Sequence, residues 1–238
     1  MVMGVTYNPK IATDGLVLCL DAANKRSYPG TGTVWSDLSG NGNHGYLING
    51  PTFSDENTGG VVFDGANDYI RILHSSSIAP TSAITYAAWA RSSNWTGITS
   101  QRNIISKTQN GGYQITVDHA WHTEKVGSLI NIGGTYRTVS YPLTSLTNGW
   151  HNFLCTFDGR YLHLYVDGVK VDTYDNTTTS SVYYASSNVL MIGAEPGGTF
   201  YPDGNYWNDR ISSAFVYSRA LTADEVRQNF EATKGRYE

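Results

Sequence analysis

The chain has 238 residues, 16 Lys+Arg against 20 Asp+Glu, a formal net charge of −4, and 40% hydrophobic and 13% aromatic content. That length suits a single domain burying about 70–75% of its unfolded surface, and the low charge with ample apolar content excludes intrinsic disorder. No basic cluster offers a phosphate-tracking nucleic-acid surface, and no apolar run approaches the ~18 residues of a membrane span.

Residues 1–13 read as an N-terminal arm and 14–238 as one domain. Met1 to Lys10 lacks a cationic start followed by an apolar core, so no secretory signal peptide is expected. Gly15 to Leu20 is a first, heavily buried strand. The polar stretch from Asp21 to Pro51 follows; at Asp37-Leu38-Ser39-Gly40-Asn41-Gly42-Asn43-His44-Gly45 its turn-formers preclude regular structure. Val61 to Phe63, Tyr69 to Ile72 and Ile84 to Trp89 read as strands. Asn103 to Lys107 and Tyr113 to Val117 read as a hairpin around Asn110-Gly111-Gly112. From Trp150 to Thr173 the chain is a meander. Phe153, Cys155 and Phe157 alternate on one strand, Leu162, Leu164 and Val166 on the next, and Asp167-Gly168 forms a tight turn. Val189 to Gly193 and Ile211 to Tyr217 complete the strands. Thr222 and Glu225 form a capping box for one closing helix, with Leu221 and Val226 as its hydrophobic staple. Gly235 is its expected stop.

The fold class is therefore all-β, a two-sheet jelly-roll sandwich with one short C-terminal helix packed on its edge. Leu18, Leu20, Phe63, Trp89, Phe153, Phe157, Leu164 and Val166 are expected inside. Cys19 and Cys155 read as buried, reduced thiols.

Four segments then resemble a known family. They are Asp37 to Gly45, Val62-Phe63-Asp64-Gly65-Ala66-Asn67-Asp68-Tyr69, Trp150-His151 through Tyr165-Val166-Asp167-Gly168, and Tyr217-Ser218-Arg219-Ala220-Leu221-Thr222-Ala223-Asp224-Glu225-Val226. Their order and spacing resemble laminin-G-like, concanavalin A-like lectin/glucanase jelly rolls over nearly the whole chain. Leu16 to Asn24, Ser27-Tyr28-Pro29-Gly30 and the ending Gln228-Asn229-Phe230 with Lys234-Gly235-Arg236-Tyr237 are similar to virion proteins of tailed bacteriophages. This resemblance implies a non-catalytic structural protein at the virion surface, a capsid decoration or fibre component. Its expected partners are capsid or fibre proteins, further copies of itself and a host cell-surface glycan. A bacterial surface lectin and, further off, a glycan hydrolase are the alternatives.

Glucanases on this fold project paired acids from one strand, with carboxyls about 5–5.5 Å apart in retaining enzymes. Asp118 is the clear mid-strand acid here, and neither Thr116 nor Ala120 is acidic, so no catalytic residue is assigned. No Gly-x-Ser-x-Gly elbow is present. Calcium wants six to eight oxygens, and Asp37, Asn41, Asn43, Asp64 and Asp68 offer candidates; the resemblance implies a structural calcium near such loops, where family members often carry one. The same residues also serve as turn caps bonding their own backbone. Zinc at His119 and His122 is the weaker metal reading. Sugars want exposed aromatic platforms beside hydrogen-bonding groups. Three loops supply them, with Trp95, Trp121, His122, Tyr206 and Trp207 as expected contact residues. A protein interface or plain loop packing uses the same aromatics.

Overall fold

The computed structural model describes residues 10–185, 187–198 and 200–237. Residues 1–9 of the expected N-terminal arm lie outside the described residues. The rest of that arm is docked: Ala12 N donates to Asn229 Oδ1, Tyr217 OH donates to the Ala12 carbonyl, and Ile11 packs on an apolar cluster.

In chain order the strands are β1 (Leu16–Asp21), β2 (Val34–Trp35), β3 (Gly45–Ile48), β4 (Thr52–Ser54), β5 (Gly60–Asp64) and β6 (Tyr69–Ile72). Then come β7 (Ile84–Ser92), β8 (Arg102–Lys107), β9 (Tyr113–His119), β10 (His122–Ile132), β11 (Thr135–Pro142) and β12 (Gly149–Phe157). β13 (Tyr161–Val166), β14 (Val169–Asp175), β15 (Leu190–Ile192), β16 (Glu195–Pro196), β17 (Pro202–Gly204), β18 (Asn208–Tyr217) and helix α1 (Ala223–Thr233) follow. The first sheet runs β14-β13-β12-β7-β18-β5-β4, with β1 also paired to β18. The second runs β11-β10-β9-β8-β15-β6-β3-β2, and β16 with β17 makes a small separate ribbon. All pairings in the two large sheets are antiparallel.

The core lies between the sheets and follows the period-2 pattern. Phe153, Cys155 and Phe157 of β12 and Leu162, Leu164 and Val166 of β13 all enter it, with Leu18, Leu20 and Phe63. Trp89 does not. Tyr86, Ala88 and Ala90 take the inward positions of β7, which turns Trp89 outward. There its ring stacks on Phe230 at 5.7 Å and Tyr237 at 4.1 Å, and its Nε1 donates to Thr233 Oγ1. Helix α1 thus covers the outer face of the first sheet rather than its edge. Its capping box forms as expected, with Thr222 and Glu225 bonded reciprocally. Trp150 is half-buried over Tyr237.

Two regions depart from the sequence expectation. Asp37 to His44 is irregular as expected, but β2 and β3, which were not expected as strands, flank it within the polar stretch from Asp21 to Pro51. Gly45 permits this, because a Cβ there would meet Ile70 Cγ2 at 2.6 Å, so only glycine lets β3 lie so close to β6. The β10–β11 hairpin, turned by Gly133 and Gly134, was not expected as strands at all. Both cysteines are free and buried, and burial pushes each thiol up to about 12.

His151 ties β12 to two loops. Its Nδ1 lies 2.6 Å from Asp167 Oδ2 and its Nε2 2.8 Å from the Thr147 carbonyl oxygen. Both partners are acceptors, so the ring carries both protons. Burial opposes that charge, but the Asp167 and Thr147 bonds outweigh it and hold the imidazole above its ordinary pKa. The stabilisation is complete below the ordinary histidine pKa and is lost as pH rises through the raised folded value. Asp167→Asn should therefore cost about 1 kcal/mol near pH ~6, and thermal melts should show the gap to wild type closing towards pH ~9. A constant gap across that range would refute the assignment.

Candidate functional site

The outer face of the second sheet, turned away from the core, carries a cleft of about 190 Å³. β9 shows how it is built. Tyr113, Ile115 and Val117 point into the core, so Gln114 and Thr116 point out. Gln114 pairs in register with Leu129 of β10 and Ser106 of β8, and Gln114 and Leu129 line the floor. The Gln114 side-chain oxygen accepts from Asn103 Nδ2 at 2.8 Å and from Ser106 Oγ at 3.2 Å.

One wall is Glu195 of β16. The Glu195 carboxylate accepts from Asn205 Nδ2 at 2.6 Å, Gln101 Nε2 at 2.8 Å and Thr108 Oγ1 at 3.3 Å. Burial raises the Glu195 pKa, with Asp203 adding to it and these bonds opposing. A carboxylate taken out of water needs such donors, so it fixes the wall in place.

The opposite wall is aromatic. Trp121, at the β9–β10 turn, is 56% exposed. Its ring meets Tyr136 edge-on at 5.8 Å and His119 at 5.7 Å. The Tyr136 hydroxyl accepts from Gly111 N and donates to Gly111 O, which pins the β8–β9 turn at the end of the cleft. Gly112 makes this turn possible: its φ is 83°, and a Cβ would lie 1.8 Å from the Lys107 carbonyl oxygen.

Of the five contact residues expected from sequence, only Trp121 lines this cleft. Trp95 and Trp207 are corrections. Both are fully buried, in contact at 5.7 Å, and belong to the core between the sheets. Trp95 Nε1 is bonded to the Gly149 carbonyl oxygen. His122 is 4% exposed, stacked behind His119, and burial and that neighbour push its pKa down to about 4. Tyr206 is half-buried against the Tyr69–Met191 cluster, beyond the cleft. Gln114, Tyr136, Glu195 and Thr108 were missed. The outward positions of the Tyr113 to Val117 alternation were the available signal for Gln114.

The calcium set does not suit an ion. Asp37 Oδ1 accepts from Cys19 N and Ser39 N, and Oδ2 from Ser39 Oγ and Asn43 N, so its acceptor positions are filled. Asn43 is buried and donates to the Val17 carbonyl oxygen and Ser77 Oγ, while exposed Asn41 Nδ2 bonds Leu16 O and Ser39. Asp64 Oδ1 caps its own turn at Ala66 N and Asn67 N, bonds that hold its carboxyl below the usual range. Asp68 Oδ2 accepts from Asp64 N. Among the described residues no three His, Cys, Asp or Glu side chains group as a metal set.

The chain belongs to the concanavalin A-like lectin/glucanases superfamily, whose laminin-G model matches residues 64–227. No curated protein matches the chain. Among solved structures it is similar to the binding domain of Paraclostridial Mosquitocidal Protein 1, at TM-score 0.68 and 19% identity over 92% of this chain and 52% of that one. It is also similar to the receptor binding domain of botulinum neurotoxin C/D mosaic serotype, at TM-score 0.70 and 15% identity over 92% and 52%. The binding domain of botulinum neurotoxin DC in complex with SialylT matches at TM-score 0.70 and 12% identity over 93% and 52%. At these identities the likeness is one of fold, and this chain spans about half the length of each.

Two outcomes are expected. Trp207→Ala should destabilise the fold by about 3–5 kcal/mol, whereas Trp121→Ala should stay within about 0.5 kcal/mol in denaturant melts. A calcium titration to roughly 10 mM should leave the melting temperature within about 1 °C of its value in EDTA, since a protein without a site has no linkage to the ion.

Proposed function

We propose that this chain is a non-catalytic carbohydrate-binding domain whose ligand seats in the Trp121–Glu195 cleft. The observation that carries the reading is the exposed Trp121 ring, braced by Tyr136 and facing a polar floor and wall. A sugar's CH face lies against such a ring while its hydroxyls meet Gln109 and Asn110 at the rim. The SialylT complex of a neurotoxin binding domain of the same fold supports this direction.

A hydrolase reading would start from Glu195, whose raised pKa suits a general acid. Glycoside hydrolysis uses two carboxylates, and Glu195 is the sole acid among the described residues lining the cleft. Its oxygens are also committed to Asn205, Gln101 and Thr108.

In our reading the resemblance to tailed-phage virion proteins sets this domain on a particle surface. Capsid or fibre proteins and further copies of the chain are then its partners. Exposed Phe200 and Tyr201 are available for such contacts.

A glycan array, run with calcium and with EDTA, tests the binding reading. Binding to a defined sugar is expected under both conditions, weakened roughly tenfold or more by Trp121→Ala with the melt intact. Binding unaffected by Trp121→Ala would move the site elsewhere, and silence across the array would remove the lectin reading. Release of reducing ends from a bound polysaccharide would overturn the non-catalytic assignment.

A further inference from the structure

A pocket of about 150 Å³ lies where the Asn41 to Tyr46 segment meets Leu73 to Ser75. It contains two imidazoles, His44 and His74, and both have their ring protons placed by a neighbour. The Asp37 backbone N–H donates to His44 Nδ1 at 3.1 Å. That nitrogen therefore holds a lone pair, and the proton of the neutral ring sits on Nε2. His74 Nδ1 lies 3.1 Å from Lys107 Nζ. An ammonium group can only donate, so His74 Nδ1 accepts and its proton is on Nε2 as well.

Lys107 itself is 2% exposed. Its ammonium is held by the Asn188 carbonyl oxygen and His74 instead of a carboxylate. Burial lowers its pKa to about 8, and it remains mostly charged at neutral pH. A buried cation without a counter-charge is costly, and a negative group nearby relieves that cost. The one acid of the neighbouring loop, Asp37, has its oxygens committed to Cys19, Ser39 and Asn43.

We propose that this pocket is a binding site for a small oxyanion, such as a sulfate or phosphate group, taken by the Nε2–H donors of His44 and His74 with Lys107 behind them. The fixed tautomers also argue against a metal ion, which would need the Nε2 lone pairs. Lys107 acts through His74 and is a positioning residue. The site is separate from the aromatic cleft. Tyr46, Arg71, Met191, Ser106 and Gln114 form one rung across the second sheet. Four strand spacings put the Tyr46 position ~19 Å from the Gln114 position.

Long-range proton–nitrogen spectra of isotope-labelled histidine in the full chain test this directly. Both rings should show the Nε2–H tautomer. Their signals should move together on addition of sodium sulfate and saturate at roughly millimolar concentration, a modest affinity typical of a small anion. Sodium chloride at matched ionic strength should leave them in place. His74 is exposed, so His74→Gln should fold normally, and it should weaken sulfate binding about tenfold or more. Trp121→Ala should not affect the titration, which keeps this result independent of the cleft. Dextran sulfate competing with sulfate, where plain dextran does not, would identify a sulfated polymer as the source of the anion. Competition by inorganic phosphate alone would identify the free ion. An Nδ1–H tautomer at either ring, an equal shift in chloride, or a saturable shift that survives His74→Gln would overturn the proposal.

Discussion

The pleat of the second sheet is the constraint on which the rest depends. Successive residues of a strand point to opposite faces, so each residue type is committed to one environment. Tyr113, Ile115 and Val117 supply core, while Gln114 and Thr116, between them, supply a polar outer surface. A one-residue slip in register would exchange these sets, putting an amide into the core and three apolar side chains into the cleft. The core therefore enforces the register, and the register places Gln114 beside Leu129 and Ser106.

The cleft walls are fixed by different physics. The aromatic wall is held by ring contacts and by the Tyr136 hydroxyl on Gly111. The opposite wall is held by a carboxylate that has exchanged water for three protein donors. Beyond that wall, Trp207 N bonds the Gly193 carbonyl oxygen, and its ring is sunk beside Trp95. Glu195 is thus held by polar satisfaction, and Trp207 further along the chain by apolar burial. A recognition surface of this kind is preorganised, and binding loses little to ordering its own side chains.

Much of the fold was legible in the sequence because its strongest signals are local. The meander from Trp150 to Thr173 shows its alternation openly, and the Thr222–Glu225 box marks the helix start in four residues. Trp89 was misassigned because Ala87 and Ala88 on its N-terminal side carry no clear phase. The β10–β11 hairpin was missed because β10 opens on His-Thr-Glu-Lys, which reads as polar loop. The site was less legible for a further reason. A tryptophan in a short turn between polar residues looks the same in sequence whether it faces water, as Trp121 does, or fills the core, as Trp95 does. Only the three-dimensional course of the turn decides it. Glu195 had no local signature, since its donors come from Gln101, Thr108 and Asn205.

The pairing of β1 with β18 sets Leu16 against Tyr217, and α1 then closes over Trp89. During synthesis the first strand must wait for its partner until almost all of the described chain has left the ribosome. Until then Leu18 and Leu20 lack their neighbours in the core, and the edge of β1 offers unpaired backbone groups to any other nascent copy. The polar segment that follows β1 is the first partner to emerge for that edge, since Asp37 Oδ1 accepts from Cys19 N, Leu38 N donates to the Cys19 carbonyl oxygen and Asn43 Nδ2 donates to that of Val17.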